Sequence, residues 1–169
     1  RPGTAPRRVD AKSGAAYPAI DIACKTLAEV AAGTGVASAC IYNSHHLGQA
    51  GAHAERLANA GLVALIFSNP PKAINFWGGR DPMMGTNPIA FAAPRANAEP
   101  LVIDLALSKV ARGRILAAKN AGEKIPEGWA LDSNGMPTDD PALAMQGSML
   151  PIGDAKGAAL VLMVELLAA

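Results

Sequence analysis

Aromatic side chains are scarce here: three Phe, two Trp and two Tyr in 169 residues. The core must therefore come from Ala, Leu, Val and Ile, and with half the chain hydrophobic there is enough to build one. Charge is also sparse and balanced, at 17% of residues and a formal net charge of +1. The basic residues are scattered, which argues against a nucleic-acid surface. The one basic run, RPGTAPRR, is short and Pro-rich and reads as an extended lead-in. Only two cysteines are present, Cys24 in a helical pattern and Cys40 in a strand pattern. No disulfide framework can be built on them, and they read as buried free thiols of a reducing, cytoplasmic setting. The most apolar run, 158–169, contains Glu165 and is too short to span a bilayer.

Several cofactor and nucleophile motifs are missing as well. No GxGxxG follows a strand, so a Rossmann cofactor site is unsupported. There is no phosphate-binding Walker loop, no GxSxG, no CxxC and no HExxH. The chain opens without Met in a Pro/Gly stretch and stops at ELLAA within a helical pattern. It is expected to be a piece of a longer protein.

Along the chain, 15–32 has helical spacing, with Ile20, Ala23, Leu27, Val30 and Ala31 on one side and Gly33 and Gly35 ending it. VASACIYN reads as a buried strand. Residues 48–59 return to helix, with Ala52, Leu57 and Ala60 assigned to the inner face. LVALIFSN is a second buried strand, closed by Pro70 and Pro71. Helices alternating with strands give α/β logic. The glycines and prolines of 70–88 predict loop. IAFAAP and PLVIDLA read as strands whose short link would make them antiparallel neighbours. Residues 108–119 read as helix, and 122–141 as a connection too punctuated to join a core. DDPALAM reads as a short helix with Pro141 at its first position, and GDAKGAALVLMVELLAA as an apolar helix.

All three histidines lie in NSHHLGQAGAHAERLANAGL: His45, His46 and His53. On one helix His46 and His53 would stand about 10 Å apart along the axis, too far to share a metal held at about 2 Å. Adjacent His45 and His46 tend to point apart, so no mononuclear metal site is expected. A second reading is a helix-start anion site, where free amides and the dipole meet a phosphate or carboxylate and His46 adds a donor. Alternatively, Ser44 caps the helix and the histidines line a polar loop. Other candidates carry the same ambiguity. Thr86 and Asn87 in GTNP offer a hydroxyl and an amide to a small acid, or form an ordinary turn. Asp104 caps a helix or holds a ligand hydroxyl. Lys156, among glycines at a helix start, is a phosphate partner or a solvated lysine.

Taken together, the segments NSHHLGQAG, GLVALIFSN, GTNPIAFAAP, VIDLALSKVARGRILAA, IPEGWALDSNGMPTDDP and GDAKGAALVLMVELL resemble the malate/L-lactate dehydrogenase family that lacks a Rossmann fold. They stand in the family's order and cover nearly the whole chain. The family includes sulfolactate dehydrogenases and the Δ1-piperideine-2-carboxylate and Δ1-pyrroline-2-carboxylate reductases. The resemblance implies an oxidoreductase using NAD or NADP as cofactor, moving a hydride to or from C2 of a small 2-oxo acid. The alternative substrate is a cyclic 2-imino acid; an inactive nucleotide-binding fragment is the alternative of another class. It implies a homodimer; the scattered charge and the short apolar run lead to no expected nucleic-acid or membrane partner.

The implied cofactor contacts are His46, Leu47, Gly48, Gln49 and Ala50; Asp104, Leu105 and Ala106; Arg112 and Gly113; and Ala155 with Lys156. Thr86 would touch substrate. The family's proton-donating histidine belongs to a Ser-His-Gly motif, and no such motif occurs in this sequence. These residues are therefore expected to hold no catalytic residue and no metal, and to be inactive alone. Imine reductases carry an aspartate after the Arg-Gly pair, where Arg114 stands here. Asp154 puts a negative charge beside the implied cofactor lysine and leaves NADH against NADPH open. His53 is expected to face solvent or pack on its helix. The expected fold is α/β: a non-Rossmann cofactor-binding domain with a mixed, largely antiparallel sheet covered by helices. The expected boundaries are a lead-in over 1–14, the NAD(P)-binding domain over 15–152, and a following helix over 153–169.

Overall fold

The structure is a computed structural model that describes residues 7–169. Its elements are β1 (Arg7–Gly14), α1 (Tyr17–Thr34), β2 (Ala39–Ser44), α2 (Ala50–Asn59), β3 (Ala64–Phe67), β4 (Ile74–Asn75) and β5 (Pro82–Met84). They continue with β6 (Ile89–Arg95), β7 (Ala98–Leu105), α3 (Arg112–Ala121), β8 (Ala130–Leu131), α4 (Pro141–Ala144), β9 (Ser148–Met149) and α5 (Asp154–Ala168). The fold is mixed α/β, with three small sheets among the described residues. Two compact units result. One comprises the described residues up to Ile66 together with Ala90–Asp104; the other comprises Phe67–Ile89 and Leu105–Ala169. The lead-in thus holds a strand from residue 7 onward; its first six residues lie outside the described ones.

In the first unit β1 pairs in parallel with β2, Val9 opposite Ile41. Most of β3, β6 and β7 forms the second sheet, in the order β3-β6-β7. Only Ala96 and Asn97 separate β6 from β7, so this pair is a hairpin and antiparallel. Asn97 takes φ +56°, a left-handed value that asparagine tolerates in such a turn. The core here is made of small residues: Ala50, Ala54, Leu57 and Ala58 from α2 close on Ala64, Ala90 and Ala92 of the sheet. Alanines let helix and sheet approach closely, which suits a chain poor in aromatics.

The second unit holds a four-stranded mixed sheet in the order β5-β4-β9-β8. β4 runs antiparallel to β5 and parallel to β9, and β8 runs antiparallel to β9. Its core joins Ile74, Met84, Leu107, Val110, Ile115, Ile125, Met149, Val161 and Val164. Two expectations fail here. The Gly/Pro-rich stretch 70–88 contains β4 and β5, because Asn75 replaces regular strand continuation with side-chain bonds: its Nδ2 donates to the carbonyls of Phe76 and Gly79, and its Oδ1 accepts from Ser148. The connection 122–141 also joins the core, burying Ile125, Ala130 and Leu131. The short-helix expectation stands: Asp140 caps α4 by accepting from the amides of Ala142 and Leu143, with Pro141 first in the helix.

The turn after β8 closes on Asp132, whose Oδ1 accepts from the amides of Asn134 and Met136. These bonds, that of Met136 first, hold its carboxyl below the usual range. A lowered carboxyl stabilises above the unfolded value of about 4 and loses that contribution as pH falls through the folded value. The Asn134 and Met136 amides should therefore show lower protection factors, measured against their intrinsic exchange rates, in acid than at pH 7, and Asp132→Ala should lower those factors at both. Equal protection in the variant at pH 7 would contradict the assignment.

Candidate functional site

The segment from Ser44 to Ala50 connects the end of β2 to α2. His45 donates its amide to the Gly14 carbonyl, and the His46 carbonyl accepts from the amide of Ala16, so the segment is tied to the start of α1. Ser44 belongs to β2 and does not cap α2. The N-cap is Gln49, whose side chain makes no capping bond. The cap comes from elsewhere in the chain: Asp104, at the end of β7, accepts from the Gly51 amide at 2.7 Å. A methyl group on Gly51 would lie 2.8 Å from Asp104 Cβ, so glycine is what lets strand and helix meet. Asp104 thus caps a helix distant in sequence, and its position at the mouth of α2 also suits a carboxylate accepting from ribose hydroxyls.

Both candidate histidines of the loop are engaged. The Gly48 amide donates to His46 Nδ1 at 2.7 Å. That leaves the proton of a neutral ring on Nε2, a donor for a phosphate or ribose oxygen. His53 differs from expectation: it is buried, 5% exposed, with Nε2 at 2.8 Å from the Leu47 carbonyl and its ring edge against Tyr17, centroids 5.8 Å apart. Ala52 and Ala60, assigned inward from the sequence, are exposed instead. The inner face of α2 runs through Ala50, His53, Ala54, Leu57 and Ala58.

In the second unit Thr86 is half-buried and its carbonyl accepts from the amide of Leu107. Leu107 in turn accepts from the amide of Ile152, and the amide of Lys109 donates to Leu150. Thr86, the stretch after Leu105 and Ala106, and the approach to α5 are therefore held side by side. Arg112 and Gly113 open α3, both exposed, and Ala155 with Lys156 lies in the first turn of α5. The charge of Asp154 is paired: its Oδ1 lies 2.7 Å from Lys109 Nζ. Lys109, missed in the sequence, thereby offsets the charge expected to repel a phosphate. Arg114 sits with its guanidinium 5.8 Å from the Trp129 ring centroid.

Four helices, α1, α2, α3 and α5, begin without a side-chain cap from their own N-cap residues, Ala16, Gln49, Ala111 and Gly153, whereas α4 has one; at α2 Asp104 takes the Gly51 amide instead. An uncapped helix start leaves amides and a partial positive charge for an anion. Among the implied cofactor residues, His46 to Ala50 lead into α2 in the first unit, while in the second Arg112 with Gly113 opens α3 and Ala155 with Lys156 opens α5; the free amides at each start, taken by itself, fit a phosphate group.

The whole chain, residues 1–169, matches the family described as Malate/L-lactate dehydrogenase. The chain belongs to the malate/L-lactate dehydrogenase family. It is 59% identical over 162 residues to the (2R)-3-sulfolactate dehydrogenase (NADP(+)) of Chromohalobacter salexigens, covering 96% of this chain and 49% of that protein. It is 45% identical to the Δ1-pyrroline-2-carboxylate/Δ1-piperideine-2-carboxylate reductase of Pseudomonas putida, over 96% of this chain and 48% of the relative. The crystal structure of Δ1-piperideine-2-carboxylate reductase from Pseudomonas syringae pv. tomato superposes with a TM-score of 0.94 at 44% identity, over all of this chain and 51% of that one. The chain spans about half the length of the family relatives it matches. The non-Rossmann α/β expectation and the family resemblance both stand.

The cysteines correct an expectation. Both are free, but Cys40 is exposed, in a β2 that among the described residues pairs only with β1. Cys24 is half-buried, and burial pushes its thiol above the ordinary value. No helix among the described residues is long and apolar enough to cross a membrane.

A loss-of-cap variant probes the first unit. Asp104→Ala should cost about 1 kcal/mol of stability and weaken dinucleotide binding. Unchanged chemical denaturation and unchanged binding would remove Asp104 from both roles.

Proposed function

We propose that the protein containing this chain is an NADP-linked oxidoreductase that interconverts a small 2-oxo acid and its 2-hydroxy acid, of the sulfolactate type. The 59% identity to a (2R)-3-sulfolactate dehydrogenase (NADP(+)) carries this reading. A cyclic-imine reductase is the second reading, favoured by the 45% relative and by the 0.94 superposition. Arg114 weighs against it, since it stands where the imine enzymes carry aspartate.

A bound nicotinamide would supply the hydride for C2. The residues of this chain bind and orient. In the first unit His46 to Ala50 and Asp104 would contact a nucleotide at the start of α2; in the second, Leu105, Ala106, Arg112, Gly113, Ala155 and Lys156 are the proposed cofactor contacts. Thr86 donates a hydrogen bond to the substrate acid. The proton for the developing alkoxide comes from a histidine in a Ser-His-Gly motif that these 169 residues do not contain. The same reading makes the whole protein a cytoplasmic homodimer, as the family resemblance implies.

The test is a substrate screen on a full-length protein carrying these residues, with sulfopyruvate, oxaloacetate, pyruvate and Δ1-pyrroline-2-carboxylate, each with NADPH and NADH. Sulfopyruvate with NADPH should give the highest kcat/KM. A preference for the cyclic imine selects the second reading. The 169 residues alone should bind cofactor without turnover; measurable oxidation of NADPH by any 2-oxo acid would contradict the assignment of the proton donor.

A further inference from the structure

The two engaged histidines meet on one peptide bond. Its N–H, that of Gly48, donates to His46 Nδ1 at 2.7 Å; its C=O, that of Leu47, lies 2.8 Å from His53 Nε2. A carbonyl can only accept, so His53 Nε2 carries the proton, and its buried Nδ1 has no partner in the structure. The residue after this bond is held unusually too. Gly48 has φ +74°, and a methyl group on it would lie 3.0 Å from Tyr17 Cζ and collide with the Tyr17 hydroxyl. Tyr17 in turn lays its ring against the edge of His53. The peptide is therefore gripped at both polar ends, while Tyr17 covers its Gly48 side.

A peptide plane at a loop apex with a positive φ can flip, exchanging which face presents the amide and which the carbonyl. A flip here would bring a carbonyl dipole towards the start of α2 and oppose an anion there. We propose that His53 is a positioning residue for the cofactor loop: its Nε2–H locks the Leu47–Gly48 peptide in the orientation that receives the dinucleotide. This rests on reading His46 to Ala50 as cofactor-binding. His53 itself touches no cofactor; it acts through the Leu47 carbonyl. The role explains why a polar ring is kept on the buried face of α2, where alanine otherwise dominates.

The experiment titrates the chain with NADPH, read by nucleotide fluorescence, with folding checked by circular dichroism. His53→Leu removes the donor, His53→Asn keeps polarity but is too short to reach Leu47, and His53→Gln can place an amide donor near the Nε2 position. If the inference holds, Leu and Asn weaken binding at least tenfold while Gln stays within about threefold of the unsubstituted chain. The Asn variant carries the comparison where the Leu variant does not fold. A merely structural histidine would not show rescue by Gln at matched folded fraction. Equal affinity in all variants, or equal loss in Gln and Asn, overturns the positioning role and leaves the cofactor reading intact. An unsubstituted chain that binds neither NADPH nor NADH overturns both.

Discussion

Gly157→Ala is expected to destabilise the chain by about 3 kcal/mol or more, read as a lower midpoint in urea. The first turn of α5 lies on the backbone of Ile152. A methyl group on Gly157 would collide with the Ile152 carbonyl oxygen and stand 2.6 Å from its carbon. Neither atom is the end of a flexible side chain, so the obstruction is relieved only by moving the segment 150–153 or the helix start. Both are tied down: Ile152 donates to Leu107 and Lys109 to Leu150. Gly33→Ala is the control. It sits in α1 with open space where the methyl would go. The helical site should gain about 0.5–1 kcal/mol. Equal midpoints for the two variants would contradict the close contact at α5.

Asn87→Asp should cost about 3 kcal/mol at pH 7, although it changes one atom. Asn87 is fully buried, and its Nδ2 donates to the Val161 carbonyl at 2.9 Å and to Glu165 Oε2 at 2.8 Å. Its left-handed backbone, φ +38°, is one asparagine and aspartate both tolerate, so the change isolates the side chain. Aspartate removes the donor and sets two carboxylates against each other, which raises their folded values. A raised carboxyl is destabilising above its unfolded value of about 4. The variant should therefore be close to the parent in acid and fall behind as pH rises towards 7. Parallel stability curves from pH 4 to 7 would contradict the Asn87–Glu165 contact. Because Thr86 precedes Asn87, the same variant is expected to disturb the candidate substrate contact.

Much of the fold was legible. α1, α2, α3 and α5, the strands β2, β3, β6 and β7, and the Asp140–Pro141 start of α4 all lie close to where periodicity and caps put them. Failures cluster where local pattern carries no information. In α2 alanine is so frequent that several faces look equally apolar, and the spacing pointed to Ala52 and Ala60 while the structure buries His53. The strands β4, β5 and β8 are two or three residues long, and β4 is braced by Asn75 side-chain bonds invisible in a hydropathy pattern. The chain also divides within the stretch read as one domain, since Ile66 and Phe67, adjacent in β3, fall in different units.

The candidate site was legible as a set of residue types and illegible as a set of partners. The NSHHLGQAG segment left a helix-start anion site and a Ser44-capped polar loop open, and the structure removes only the Ser44 cap. That Asp104 would cap α2 from 53 residues away, or that Lys109 would pair with Asp154, depends on tertiary placement. Tyr17 and His53 had no signal beyond being polar aromatic residues at the starts of two helices.

The proposed function requires that this chain bind a phosphate-rich dinucleotide. Isothermal titration of the 169-residue chain with NADPH, repeated at two salt concentrations, tests it most directly. The account predicts saturable one-to-one binding that weakens with salt and is reduced at least tenfold by Lys156→Glu. Absence of binding to NADPH and NADH alike, by a chain shown to be folded, would contradict it.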